Sequence, residues 1–262
     1  MAKVLIKQLH SYKNQYAVPR KTLIDNLEEA VVEEKRIEEM DVVFLMDRFG
    51  YAKTVDVSVY ERNKEAADTE NRYILTCKNT DKICIFTNKG QMHLLKVLDL
   101  PYGKFRDKGI PIDNLSNYNS SEENFIYIIN LGAIIHSRLL FGTKTAMLKM
   151  VDGSEFDVAK RTTAATKLNE DDELLIVHAM TGEETVVMQS EKEMFLRIEA
   201  STIPDKKMGA VGVRGMKLNA GDALSNIYVL DGESEQTVEV KGKEVVLNRL
   251  RVGNRDTKGT KR

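Results

Sequence analysis

The chain has 262 residues, 42% hydrophobic, 30% charged and 6% aromatic, with no tryptophan. That length buries one large core or two modest ones without disulfide support. Thirty-nine basic against 40 acidic side chains leave a net charge of −1, which excludes a uniformly basic magnet for nucleic acid but not a locally basic face.

Along the chain, Val4, Leu5, Leu9, Tyr12 and Tyr16 are spaced as the last turns of a helix over residues 1–16, with Lys3, Lys7 and Lys13 around it. Pro19 biases the residue before it away from the helical region. Arg20 to Ile24 then reads as a short extended piece. Residues 28–39 hold six glutamates against Lys35 and Arg36, the composition of a solvated linker or short helix. From residue 40 the pattern changes to short apolar runs. Val42-Val43-Phe44-Leu45, Ile83-Cys84-Ile85-Phe86, Phe125 to Ile129, Leu174 to Val177 and Thr185 to Met188 are bounded by Gly, Asn, Asp or Lys. Such runs at regular spacing predict hairpins in an all-β protein rather than βαβ units. Pro101, Pro111 and Pro204 lie between the runs, as strand chemistry requires.

Motifs that carry catalysis are missing. There is no phosphate loop, no dinucleotide fingerprint after a strand and no nucleophile elbow. FGTKTAM, Phe141 to Met147, lacks the first glycine that a phosphate loop needs. His10, His93, His136 and His178 are scattered, and no pair has ligand spacing. Cys77 and Cys84 flank a turn at Asn79-Thr80-Asp81 and read as buried strand cysteines in a reducing compartment. The acidic turn Asp152-Gly153-Ser154-Glu155 lacks the ligand order of a calcium loop. No metal site and no catalytic constellation is expected. With no apolar run near the ~20 residues of a membrane span and no cleavable leader in MAKVLIKQLHSYKNQ, a soluble cytosolic protein is expected.

An internal repeat organises the rest. MDRFGYAKTV, TNKGQMHLLKV, FGTKTAMLKM, QSEKEMFLRI and VEVKGKEVVL each read as strand, tight turn and second strand. The turn position falls at Gly50, Gly90, Thr145, Glu193 and Gly242, at intervals of 40, 55, 48 and 49. FRDKGIPIDNL and MGAVGVRGMKL match again downstream, with Gly109 and Gly212 each 19 residues past their turn. Five units of 40–50 residues are the signature of blades around an axis, each too small to hide its apolar face alone. An irregular β-sandwich is the alternative.

At TNKGQMHLLKVLDLPYGKFRDKGIPIDNL and KKMGAVGVRGMKLNAGD the chain resembles the C-terminal domain of the A subunit of bacterial type IIA DNA topoisomerases, the family of DNA gyrase and topoisomerase IV. KQLHSYKNQYAVPRKTLI resembles that family's junction between the breakage–reunion core and this domain, which would place Met1 in mid-subunit. The resemblance covers nearly the whole chain. It implies a five-bladed β-pinwheel over residues 40–262, a propeller-like ring of four-stranded blades in which strands are exchanged between neighbours, preceded over residues 1–39 by a helix end and acidic linker. It also implies double-stranded DNA around a basic rim, within a holoenzyme that includes an ATPase B subunit together with the rest of the A subunit. The catalytic tyrosine and the use of ATP and magnesium would belong to parts outside this chain, so the domain by itself is expected to be non-catalytic, with no cofactor of its own. Localisation would be cytoplasmic, at the nucleoid, and the isolated chain would be a monomer. Gyrase carries a Gly- and Arg-rich box in its first blade. Here that offset holds Glu65-Ala66-Ala67-Asp68-Thr69-Glu70-Asn71, which together with five units favours a topoisomerase IV-like subunit over a divergent gyrase.

Basic residues recur in register with the repeat. Lys53, Lys96, Lys149 and Arg197 follow the turns. Arg106 and Lys108, Lys160 and Arg161, then Lys206 and Lys207 with Arg214, lie in the loops between units; Arg255 and Lys258 follow in the last. Residues 243–262 hold seven Lys or Arg against Glu244 and Asp256. Equivalent positions in a ring point in equivalent directions, so these thirteen are the candidate DNA contacts, made to phosphate and without base reading. A propeller-like scaffold that docks a protein partner on an end face is the rival reading.

Overall fold

A computed structural model describes residues 2–19, 21–22 and 37–262. The chain divides into two compact units, Met1–Ile37 and Glu38–Arg262. In the first, helix α1 (Ala2–Tyr16) has no buried residue. The extended piece expected over 20–24 and the acidic linker over 28–39 fall outside the described residues, apart from Lys21, Thr22 and residues 37–39.

The second unit repeats one construction. Strands β1 (Asp41–Asp47) and β2 (Tyr51–Asp56) form a hairpin, followed by helices α2 (Val57–Arg62) and α3 (Lys64–Glu70) and strand β3 (Asn71–Lys78). Next come the hairpin β4 (Lys82–Thr87) and β5 (Gln91–Lys96), strand β6 (Ile110–Pro111) and strand β7 (Phe125–Asn130). A single helical turn, α4 (Leu131–Ile134), leads to the hairpin β8 (Arg138–Thr143) and β9 (Met147–Asp152), then to β10 (Thr162–Ala164) and β11 (Leu174–Met180). The hairpin β12 (Thr185–Ser190) and β13 (Met194–Glu199) is followed by β14 (Val213–Arg214) and β15 (Leu224–Leu230). The last hairpin is β16 (Thr237–Val240) and β17 (Lys243–Val246), with β18 (Thr260–Lys261) after it.

Sheet membership does not follow the hairpins one by one. The antiparallel sheets run β3-β1-β2-β6, β7-β4-β5-β10, β11-β8-β9-β14 and β15-β12-β13-β18, and β16-β17 forms a fifth sheet of two strands. Each four-stranded sheet is therefore one hairpin closed on both edges by the strands that flank the next hairpin. The fifth hairpin has no successor among the described residues, which is why it keeps two strands where the repeat leads one to expect four. Pro111 sits inside a strand rather than between runs, at the outermost place of the first sheet, where no ladder donor is needed.

Turn chemistry marks the repeat. Each hairpin turn ends on a residue with positive φ: Gly50, Gly90, Ala146, Glu193 and Gly242. The third unit thus turns at Ala146 (φ 63°) rather than Thr145, and the repeat is read one residue later there. A register shift recurs where the first strand of each of the first four hairpins nears its turn, at Met46/Asp47, Phe86/Thr87, Leu174/Ile176 opposite β8, and Gln189/Ser190. Such bulges bend the strand and increase its twist.

Both faces of the hairpins are buried, which explains continuous apolar runs instead of alternation. Phe44 and Met46 meet Ile83 and Ile85 between the first and second sheets. On the far side of the second sheet, Phe86 packs edge-on to Phe141 and Phe156, at centroid distances of 5.9 and 5.2 Å. Leu140 and Leu148 meet Met188 and Ile198, and Val187 and Phe195 meet Val240 and Leu247, at the next two interfaces. The two ends are finished differently. The outward face of the first sheet, Val43, Leu45 and Val55, lies under Val59, Tyr60 and Ala67 of α2 and α3. The fifth sheet turns the exposed Thr237, Glu239 and Glu244 outward. Among the described residues no apolar cluster joins the fifth sheet to the first. Terminal units of stacked repeats need such covers.

The cysteines sit as expected, buried in β3 and β4 on either side of the turn, and burial pushes the thiols up to about 11 and about 12. Between β11 and β12 the turn is held by Glu184. Its carboxylate accepts from Thr181 N (2.5 Å), Thr181 Oγ1 (2.7 Å) and Gly182 N (2.7 Å). Burial raises this carboxyl, but the donors outweigh it and hold the group at about 2 against an ordinary 4.5. Its stabilising contribution is therefore complete above pH 4.5 and lost as pH falls toward 2. Glu184→Gln should cost about 1–3 kcal/mol at pH 7. Thermal melts from pH 7 to pH 2 should show the gap to the wild type closing, whereas a gap constant across that range would contradict this role.

Candidate nucleic-acid interface

Strand exchange fixes where the inter-unit loops lie. The chain leaving each of the second to fifth hairpins crosses back to the preceding sheet and runs along the second strand of its hairpin. Thr54 N donates to Pro101 O (2.9 Å) and Met150 N to Pro204 O (3.1 Å), and Arg197 O accepts from Gly253 N (2.8 Å). One position in three of these loops must be glycine. A Cβ on Gly109, Gly212 or Gly259 would stand 2.7 Å from the carbonyl oxygen of Ala52, Leu148 or Phe195. Close backbone approach accounts for these glycines.

Beneath the loops, basic side chains act as clamps. Lys53 Nζ donates to the carbonyls of Phe105 (2.5 Å) and Asp107 (2.9 Å). Lys149, only 1% exposed, donates to Lys207 O (3.2 Å), Met208 O (2.7 Å) and Ala210 O (2.8 Å), and its Nζ lies 5.4 Å from the Phe141 ring centre. In the second unit the same place, three past the turn, belongs to His93. Its Nε2 lies 2.9 Å from Glu123 Oε1, and its Nδ1 lies 3.1 Å from Thr162 Oγ1, in an enclosed pair. Arg197, one position further along, donates to Asn248 O (2.5 Å) and to Thr185 Oγ1 (2.9 Å).

The residues expected after the turns therefore need correction. Lys149 is shut away from solvent, and Lys53 and Arg197 are half-buried with their charged ends spent on loop carbonyls. Lys96 is exposed but ends its strand, six past the turn, so these four do not share a direction. The loop residues fare differently. Arg106, Lys108, Lys160, Arg161, Lys206 and Lys258 are all exposed. Lys108 Nζ lies 4.8 Å from the Tyr51 ring centre. Lys207 pairs with Glu155 (3.0 Å), and Arg214 pairs through two bonds with Asp256, whose carboxyl it holds below the usual range. Arg255 is half-buried and donates to Arg214 O (2.9 Å). Lys104, Arg251, Lys261 and Arg262 are exposed on the same loops and edges, and the expected set omits them. The charge of residues 243–262 is the signal that points to three of these. Among the described residues no cluster of His, Cys, Asp or Glu could hold a metal ion, and no helix is long and apolar enough to cross a membrane.

Lys149 is the clamp most open to test. Burial pushes its ammonium down to about 8 from 10.5, against the opposing pull of Glu155. Lys149→Met leaves three carbonyls without their donor and should cost about 2–4 kcal/mol. The unfolded chain keeps the proton up to pH 10.5 while the folded chain releases it near 8, so the wild type should gain on the variant as pH rises between these values. Denaturant melts of both proteins at pH 7, 8.5 and 10 measure this, and a constant difference would contradict it.

Comparison with known proteins bears on this arrangement. The family model described as DNA gyrase C-terminal domain, beta-propeller, matches residues 137–179 and 184–231, the third and fourth units. The DNA gyrase A protein of Lawsonia intracellularis is 27% identical over 98% of this chain and 33% of its own length. That of Staphylococcus epidermidis is 29% identical over 97% of this chain and 30% of its own. The chain thus spans about a third of the curated relatives it matches. In fold it resembles the crystal structure of the C-terminal domain of DNA topoisomerase IV (TM-score 0.76, 22% identity, 86% of this chain and 73% of that one). The C-terminal domain of E. coli ParC is also similar (TM-score 0.69, 15% identity, 85% and 94%), as is that of DNA gyrase A (TM-score 0.56, 17% identity, 84% and 76%). Repeat, strand exchange and relatives agree: this chain is similar, along nearly its whole described length, to the C-terminal domain of the A subunit of the bacterial type IIA DNA topoisomerases.

Proposed function

We propose that the chain binds duplex DNA along the rim formed by its inter-unit loops and bends it. The observation that carries this reading is the placement of those loops. Strand exchange lays each one along the edge of the preceding sheet, so exposed cations recur from sheet to sheet: Arg106 and Lys108, Lys160 and Arg161, Lys206, then Arg251 and Lys258. Point charges on loops engage phosphates and read no bases, so sequence preference is slight. Bending 20–30 bp through 40–90° costs about 1–6 kcal/mol, which calls for several contacts along a path rather than one patch.

In the whole subunit the domain would present a DNA segment to the breakage–reunion core, with strand cleavage and the use of ATP and magnesium carried by the remaining A-subunit domains and by the B subunit. The chain itself is non-catalytic in this reading and acts at the nucleoid, and in isolation it is a monomer. A topoisomerase IV-like bending role is supported by α3 with its C-cap, which occupies the offset, Glu65 to Asn71, where gyrase carries its Gly- and Arg-rich box.

A salt titration of affinity for a ~30 bp and a ~150 bp duplex tests this, followed by religation of nicked circles with the protein bound. The expected result is a steep slope, near −0.9 per neutralised phosphate, with tighter binding to the longer duplex. Binding without a change in linking number supports the topoisomerase IV-like role, and a positive change supports a gyrase-like one. Charge reversal at Lys160, Arg161, Lys206 and Lys207 should weaken binding at least tenfold and flatten the slope. A flat slope and weak affinity for both duplexes would leave a protein-docking scaffold instead.

A further inference from the structure

The rim is not evenly charged. Over equal stretches, residues 97–112 on the first sheet and 153–168 on the second each hold three cations and two carboxylates. On the third, residues 200–215 hold three cations and one carboxylate, and residues 247–262 on the fourth hold six and one. Beyond the first sheet, α2 and α3 carry two cations against four carboxylates over residues 57–70.

Local pairing leaves Lys206 alone on the third rim, where Lys207 pairs with Glu155, and leaves the fourth rim with the most unpaired cations. Arg249 pairs with Glu235 (3.2 Å) and Arg214 with Asp256. After these, Arg251, Arg255, Lys258, Lys261 and Arg262 of the fourth rim have no carboxylate within 4.0 Å among the described residues. At the other end, Arg106 and Lys108 border a cleft of about 570 Å³ that they share with Asp47, Glu70 and Asp107, the second of these from α3. With Lys53 the cleft holds three charges of each sign, and charges gathered within about one ~8–10 Å screening length act on a phosphate as a nearly neutral group.

We infer that the DNA-contacting arc is polarised. The duplex is anchored on the rim of the fourth sheet, where five cations have no carboxylate partner among the described residues, and the acidic helices α2 and α3 end its path at the first. This rests on the DNA-binding reading above and adds an anchored end and a terminating end to it. Arg251 and Lys258 are anchoring contacts. Glu65 and Glu70 are repulsive elements that limit the length of DNA engaged.

The experiment compares matched pairs in the 262-residue chain. Arg251→Glu with Lys258→Glu should weaken binding to a ~30 bp duplex at least tenfold at 100 mM salt and lower the slope by about two. Arg106→Glu with Lys108→Glu should weaken it less than about threefold. Glu65→Gln with Glu70→Gln should lengthen the hydroxyl-radical footprint on a ~150 bp duplex. An iron chelate tethered at Asn254→Cys should cleave the duplex while one at Lys64→Cys should not, a readout that does not depend on the reversed pairs folding. Equal losses from the two reversed pairs, an unchanged footprint, or equal cleavage from both tethers would overturn the polarised arc. Failure of the wild-type chain to bind either duplex would instead remove the DNA reading itself, and the two failures are told apart by that control.

Discussion

A two-stranded hairpin has two open edges and no core, and this fold depends on how those edges are closed. Each of the first four hairpins receives both outer strands from the segments that flank the next hairpin. Ladder hydrogen bonds and apolar burial thus link unit to unit in one direction along the chain. The loop between the borrowed strands has no freedom to wander, because it must cross to the preceding sheet and return. Cationic clamps at Lys53, Lys149 and Arg197, and glycines that admit a carbonyl at contact distance, finish that crossing.

The same constraint places charge. A loop pinned along a sheet edge exposes its remaining side chains at a defined spacing, so a chain of net charge −1 can still offer a row of cations. The acids are taken up in turns and caps, as at Asp152 and Glu184, or in pairs such as Lys207 with Glu155. Electrostatics of this kind needs no excess of basic residues, only their segregation.

How much of this could be read in advance depended on whether the signal was local. Hairpins and their turns were legible because a left-handed turn residue beside two apolar runs is a short-range pattern, and only Ala146 displaced the reading by one residue. Strand exchange was implied only by the family resemblance, and the particular pairings were not legible: β3 pairs with β1 across a helical insertion, and β18 pairs with β13 more than sixty residues away, with nothing in either segment to name its partner. The basic residues divided along the same line. Lys160, Arg161 and Lys206 lie in polar loops and stand in solvent, whereas Lys149 sits between Leu148 and Met150 in a strand buried on both faces. An apolar setting on either side was the available sign that this lysine points inward. The short helices α2 and α3 carry no sequence signal of their role, and the residues of α3 stand out only for lacking a Gly- and Arg-rich box. Their few apolar residues, Val57, Val59, Tyr60 and Ala67, are too sparse to announce a cover for a sheet face.

Because every complete sheet mixes strands from two units, the natural seams of this molecule do not run between sheets. A cut beside a hairpin would leave one sheet without its edges and strand its would-be borders elsewhere. The segment that can be gained, lost or varied without disturbing a ladder is the stretch between a hairpin and the strand that opens the next cassette. After β2 that stretch is α2 and α3. That stretch is thus one where the architecture tolerates replacement, so a change in how the first sheet meets its surroundings could arise while all five hairpins stayed as they were.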